Sequence, residues 1–182
     1  DNLDEFYMVR VAGLKGQVNA GITTPSDDGL SPKLQLEAVE QRTWDLMAAQ
    51  QTCWRRLRAE LKDAGISVLD GTEIEDGDRA WLETHFMEQI FPVLTPLAVD
   101  PAHPVPFIPN KGFAMVLELR KQDTGEHLQA LLPLPGQIGR FVRLPGEAIR
   151  FLPIEQIVSL FLNRVFPNID IIAQSWFRII RD

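Results

Sequence analysis

The chain has 182 residues, enough for one large domain or two small ones, and a hydrophobic content of 45% supports real cores. A single cysteine, Cys53, excludes an internal disulfide and suits a reducing compartment. No signal peptide is visible and no apolar run reaches bilayer-spanning length, so no transmembrane segment and a cytoplasmic location are expected.

The net charge of −7 is unevenly placed. Residues 1–91 carry 17 acidic and 9 basic side chains, a net of −8, whereas residues 92–182 carry 8 acidic and 9 basic, a net of +1. Neither half shows a basic stripe or interleaved basic and aromatic residues, so nucleic acid is not an expected partner.

In chain order, Leu3, Phe6, Tyr7, Val11 and Leu14 form a one-sided helical pattern. Asn2 and Glu5 have capping-box spacing, which makes Asn2 a natural N-cap. This helix should fade between Gly16 and Gly21 into a polar loop, Ile22 to Gly29, expected to be mobile. Ser31-Pro32 reads as N-cap and first residue of a long helix whose stripe of Leu36, Val39, Leu46, Met47, Trp54, Leu57 and Leu61 runs to about Ala64, with Gly65 as the terminating residue. Cys53 on that helix reads as a small hydrophobe, and the Arg55, Arg56, Arg58 run as a solvated face. After a short apolar return at Ile66–Leu69, a further helix capped by Asp76 or Asp78 should turn Trp81, Leu82, His85, Phe86 and Ile90 inward. His85 is there expected to be a packed core histidine.

Residues 91–109 hold six of the thirteen prolines, at positions 92, 96, 101, 104, 106 and 109. Each proline fixes its φ and removes a donor, so neither a helix nor a central strand can run through. With Leu94, Leu97, Val99, Val105, Phe107 and Ile108 it should be a stiff, largely buried connector. Beyond it the period changes to two: Phe113, Met115, Leu117 and Leu119 share a face, and Gln122–Glu126 reads as a hairpin leading to a second run, Leu128–Leu132. Shorter strands are expected at Arg140–Leu144 and Ala148–Leu152, then a helix starting at Pro153, then a strand at Ser175–Ile180. The expected fold is α+β: an all-α helical bundle or hairpin over residues 1–91, then a small α+β domain over residues 92–182 with a mostly antiparallel sheet and one main helix.

Catalytic constellations are missing. There is no phosphate-binding loop, no G-x-G-x-x-G and no G-x-S-x-G. His85, His103 and Cys53 lack zinc-site spacing, so no metal site is expected. Asp100 and His103 have no nucleophile beside them, which makes a structural loop role the expectation.

Three stretches carry a family resemblance: Asn2-Leu-Asp-Glu-Phe-Tyr-Met-Val-Arg-Val-Ala-Gly-Leu-Lys15, then Phe91-Pro-Val-Leu-Thr-Pro-Leu-Ala-Val-Asp-Pro-Ala-His-Pro104, and finally Phe177-Arg-Ile-Ile-Arg-Asp182. Together they resemble bacterial polyphosphate kinases in order and spacing, placing nearly the whole chain in that family's N-terminal helical domain and the head domain after it. The resemblance implies an enzyme that reversibly transfers the γ-phosphate of ATP to polyphosphate through a phosphorylated histidine, with Mg2+ offsetting charge. It implies Asn2 as an ATP-binding residue, since an amide both donates and accepts as an adenine edge demands. Asp1 stands where many relatives have serine, and Gly16 where a basic residue is frequent.

The family's catalytic histidine and metal-binding arginines belong to C-terminal domains that follow the region matching Asp182. The resemblance therefore implies a fragment, inactive alone, with no catalytic residue of its own and no tightly bound cofactor. Its lack of an initiator methionine and its expected end inside a strand agree with that. The partners implied are ATP or ADP, inorganic polyphosphate, the chain's own C-terminal catalytic domains, and further copies of itself through the helical and head domains. Arg178 and Arg181 are candidates to face polyphosphate. A different class of reading, a non-enzymatic helical and α+β interaction module, rests on the missing catalytic motifs.

Overall fold

The computed structural model describes residues 2–99 and 107–181. Asp100, His103 and the central prolines of the connector lie outside the described residues. The described chain forms two compact units, residues 1–59 with 180–182, and residues 60–179.

The first unit is helical. Helix α1 (Asn2–Phe6) runs through a π-helical turn (Tyr7–Val11) into α2 (Ala12–Asn19). The turn changes which side chains share a face, and Asp4, Val11 and Leu14 become the buried ones. The loop that follows is a hydrogen-bonded turn rather than an open coil. The Asp28 carboxylate accepts from Ser26 Oγ at 2.7 Å and from the Leu30 amide at 2.9 Å. Those bonds, with the Leu30 amide contributing most, hold the exposed Asp28 carboxyl below its usual range.

Helix α3 (Pro32–Asp63) begins and ends as its sequence dictates. Ser31 Oγ accepts from the Leu34 amide at 3.4 Å, Pro32 opens the first turn, and Gly65 closes the helix at φ +82°. Its 32 residues extend about 48 Å. The apolar stripe, however, is not an inner face. Trp44, Leu46, Met47, Trp54 and Leu57 are exposed, and so is Cys53, contrary to its reading as a packed hydrophobe. Tyr7 donates to Thr43 Oγ1 at 2.9 Å, and every residue from 44 to 57 is exposed. The unit is thus a two-helix hairpin with one long, unsupported arm.

The second unit is α+β. Strand β1 (Ile66–Val68) precedes α4 (Asp76–His85), which continues as a π-helical turn (Phe86–Ile90) and a 3-10 turn (Phe91–Val93). Then come β2 (Leu97–Val99), β3 (Phe113–Lys121), β4 (His127–Pro133), β5 (Phe141–Arg143) and β6 (Ile149–Pro153). Helices α5 (Ile154–Leu160) and α6 (Leu162–Val165) lead into β7 (Ile169–Arg178). One sheet is antiparallel in the order β2-β4-β3-β7, and a smaller one is ordered β1-β6-β5 with β1 parallel to β6.

Leu82, Phe86 and Ile90 are essentially fully buried and form one core with Met115, Leu117, Leu119, Leu132, Ile157 and Val158. Burying three such side chains stabilises the unit by roughly 1.5–3 kcal/mol each. This is why the compact units divide near residue 60 rather than at the proline connector: the helix at 76–85 covers the sheet instead of completing a helical bundle.

Other expectations are corrected here. Glu75, not Asp76 or Asp78, is the N-cap of α4, and no side chain closes that cap. Asp78 turns inward instead, and Arg150 Nη1 and Nη2 donate to its two oxygens at 2.6 and 2.9 Å. Trp81 and His85 are only half-buried, with parallel rings 5.0 Å apart. In the connector Phe91 and Val93 are exposed, Phe107 is 78% exposed, and Ile108 is the fully buried residue among those described. Leu97–Val99 is a strand after all, tolerated because β2 lies at a sheet edge and pairs only with β4. The last strand starts at Ile169, six residues before the expected Ser175, and ends at Arg178, so the chain does not stop mid-strand.

The Asp78–Arg150 pair is a bidentate charge pair with Asp78 buried. Removing one partner leaves the other charge poorly solvated. Asp78→Ala is expected to destabilise the α+β unit by about 3 kcal/mol in urea unfolding, and Asp78→Asn by less.

Candidate functional site

Asn2 is the first residue of α1 and its side chain is exposed, so the amide is presented to solvent rather than used as the expected N-cap. Arg178 ends β7 and is exposed; Arg181 is half-buried. Neither Asn2 nor Arg178 lines the cavity that Arg181 borders.

Arg181 instead shares a cavity of about 350 Å3 in the helical unit with residues of the first helix. Tyr7, Val11, Lys15 and Asn19 line it at helical intervals of four, with Ala12 and Gly16 beside them. The small residues leave the concavity, and the long ones set its chemistry. A Cβ built on Gly16 would meet nothing within 4 Å, so the position where relatives often carry a basic residue is open space here. Lys15 and Arg181 place two basic side chains on its lining. Lys15 is not a candidate from the sequence alone; the fold sets it beside Tyr7 and Val11 on this lining.

The first helix is fastened by Gln35. Arg10 Nη2 donates to Gln35 Oε1 at 2.9 Å, while Gln35 Nε2 donates to Ser26 Oγ, to Asp28 Oδ1 at 3.2 Å and to the Leu30 carbonyl at 3.2 Å. One buried amide therefore couples α2's preceding turn, the Asp28 loop and the start of α3. Its loss strands several donors and acceptors, and Gln35→Ala should cost about 1–3 kcal/mol while loosening the cavity that Lys15 lines. Thermal melting of the variant beside Gln35→Glu checks this: the glutamate keeps the acceptor for Arg10 but sets an oxygen against Asp28 Oδ1 and the Leu30 carbonyl, so it too should melt below the parent.

The α+β unit holds a larger cavity, about 700 Å3, between α4 with its π-helical turn and β5 with the loop before it. His85 borders it and is half-buried, so it is not the closed core histidine expected from the sequence. Among the described residues no cluster of three or more His, Cys, Asp or Glu side chains could hold a metal ion. Nor is any described helix long and apolar enough to cross a membrane.

Comparison with known proteins places the whole chain. Residues 1–69 match the model of the polyphosphate kinase N-terminal domain, and residues 77–182 match that of the polyphosphate kinase middle domain. The chain is 46% identical over 181 residues to a polyphosphate kinase of Erythrobacter litoralis and 41% identical over 187 residues to one of Mycolicibacterium gilvum. Both alignments cover 100% of this chain but only 25% and 26% of the relatives' lengths. The crystal structure of polyphosphate kinase from Porphyromonas gingivalis shares the fold, with a TM-score of 0.84 at 24% identity over 100% of this chain and 27% of that one. The α+β chain described above therefore belongs to the polyphosphate kinase family, of which it carries the N-terminal and middle domains.

Proposed function

We propose that this chain supplies the nucleotide-contacting and subunit-contacting parts of a polyphosphate kinase. The full protein moves the γ-phosphate of ATP to the end of a polyphosphate chain through a phosphohistidine, a step suited to a ring nitrogen that is nucleophilic near neutral pH. The observation that carries the reading is the pair of family-domain matches, in order, over residues 1–69 and 77–182. The nucleophile belongs to the remaining three quarters of the protein, and no catalytic role is assigned to residues of this chain.

Within that frame Asn2 contacts ATP. Its exposed carboxamide at the start of α1 can donate to and accept from a base edge. Lys15 and Arg181, at one cavity, are placed to meet the polyanionic product, with Arg178 nearby in sequence. The exposed apolar stripe of α3, Trp44 to Leu57, serves as an interface covered in the assembled enzyme by a second copy or by the chain's own catalytic domains.

Asn2→Ala in the full-length protein tests the nucleotide contact. A raised KM for ATP with kcat and melting temperature unchanged is expected, by the roughly five- to tenfold that about 1–1.4 kcal/mol of lost hydrogen bonding gives. A lowered melting temperature with KM unchanged would reduce Asn2 to a helix-end residue.

A further inference from the structure

The cavity between α4 and β5 has a chemistry of its own. Trp81, His85 and Gln89 face it from α4 and its π-helical turn, at intervals of four; Gln137 comes from the loop before β5, and Phe141 and Arg143 from β5 itself. Trp81 and His85 lie nearly parallel, with centroids 5.0 Å apart and planes 10° apart. Phe141, two residues from Arg143 and so on the same strand face, is 49% exposed.

The polar groups here are idle. Among the described residues no side-chain hydrogen bond or ion pair engages Trp81, His85, Gln89, Gln137 or Arg143. Arg143 stands out in its unit: Arg120 pairs with Asp170, Arg140 with Glu155, Arg150 with Asp78 and Arg164 with Glu83. Arg79 lies over the Phe161 ring. No carboxylate lines the cavity, so Arg143 is left to attract an anion. The volume of about 700 Å3 lies in the range of small-molecule sites.

We propose that this cavity is a binding site for a purine nucleoside monophosphate, separate from the nucleotide contact at Asn2. Aromatic faces stack a planar base. The carboxamides of Gln89 and Gln137 each donate and accept, as a purine edge and a ribose hydroxyl require. The Arg143 guanidinium takes the phosphate in its fork. One guanidinium, with no metal-binding cluster among the described residues, matches one phosphate and not a magnesium-bearing triphosphate.

The test is a titration of the full-length protein with AMP and with GMP, read by intrinsic tryptophan fluorescence. A saturable quench is expected for at least one of them. It should vanish in Trp81→Phe, weaken at least tenfold in apparent Kd in Arg143→Ala, and persist unchanged in Asn2→Ala. The free nucleosides should bind the parent and Arg143→Ala alike. Arg143 is exposed and unpaired, so its alanine variant should melt like the parent and keeps the test valid if Trp81→Phe folds poorly. Absence of a saturable quench, a quench indifferent to Arg143→Ala, or one abolished by Asn2→Ala would each overturn the proposal.

Discussion

The structure depends on where α4 buries its apolar face. Leu82, Phe86 and Ile90 recur at intervals of four and are sealed against β3, β4 and α5. Two devices hold them there. At the N-terminal end the Asp78 carboxylate grips Arg150 of β6, and at the C-terminal end the helix loosens into a π-helical turn before Pro92, in the 3-10 turn Phe91–Val93, stops it. The same placement leaves the opposite flank, Trp81, His85 and Gln89, bordering a cavity. A single helix thus closes the α+β core and opens the site beside it.

The helical unit follows a different logic. Its few buried side chains, Asp4, Val11, Leu14 and Gln35 among them, could not support an arm of about 48 Å by hydrophobic burial alone. Local signals carry it: the Ser31-Pro32 start, the Gly65 stop, and the amide of Gln35 binding Arg10 and the Asp28 loop. The exposed tryptophans of α3 leave an apolar surface on a chain that spans about a quarter of its relatives' length.

Much of this was legible in the residues. Proline, serine and glycine chemistry located both ends of α3 to within a residue, the period of two located β3 with the right face inward, and the apolar run Leu128–Leu132 located β4. Long-range choices were not legible. Periodicity showed that α4 has an apolar face but not which partner would take it, and so the helix was assigned to the wrong unit. β7 was half missed because a register shift opposite Glu118 and Leu119 leaves Ile172 as an extra, exposed residue and breaks the alternation. β1 pairs in parallel with β6 across some eighty residues, a contact no local pattern announces. For the candidate sites, Asn2 and Arg181 came from motif resemblance. Lys15 and Arg143 needed the fold, because their meaning lies in which groups surround them.

The most direct test of this account is native-state amide hydrogen exchange on the full-length protein in mild denaturant. Residues 82–90 are predicted to lose protection in the same step as β3 and β4, at a free energy distinct from that of α3. If they instead open together with α3 and separately from β3, α4 belongs to the helical unit, and both the core and the cavity described beside it are wrong.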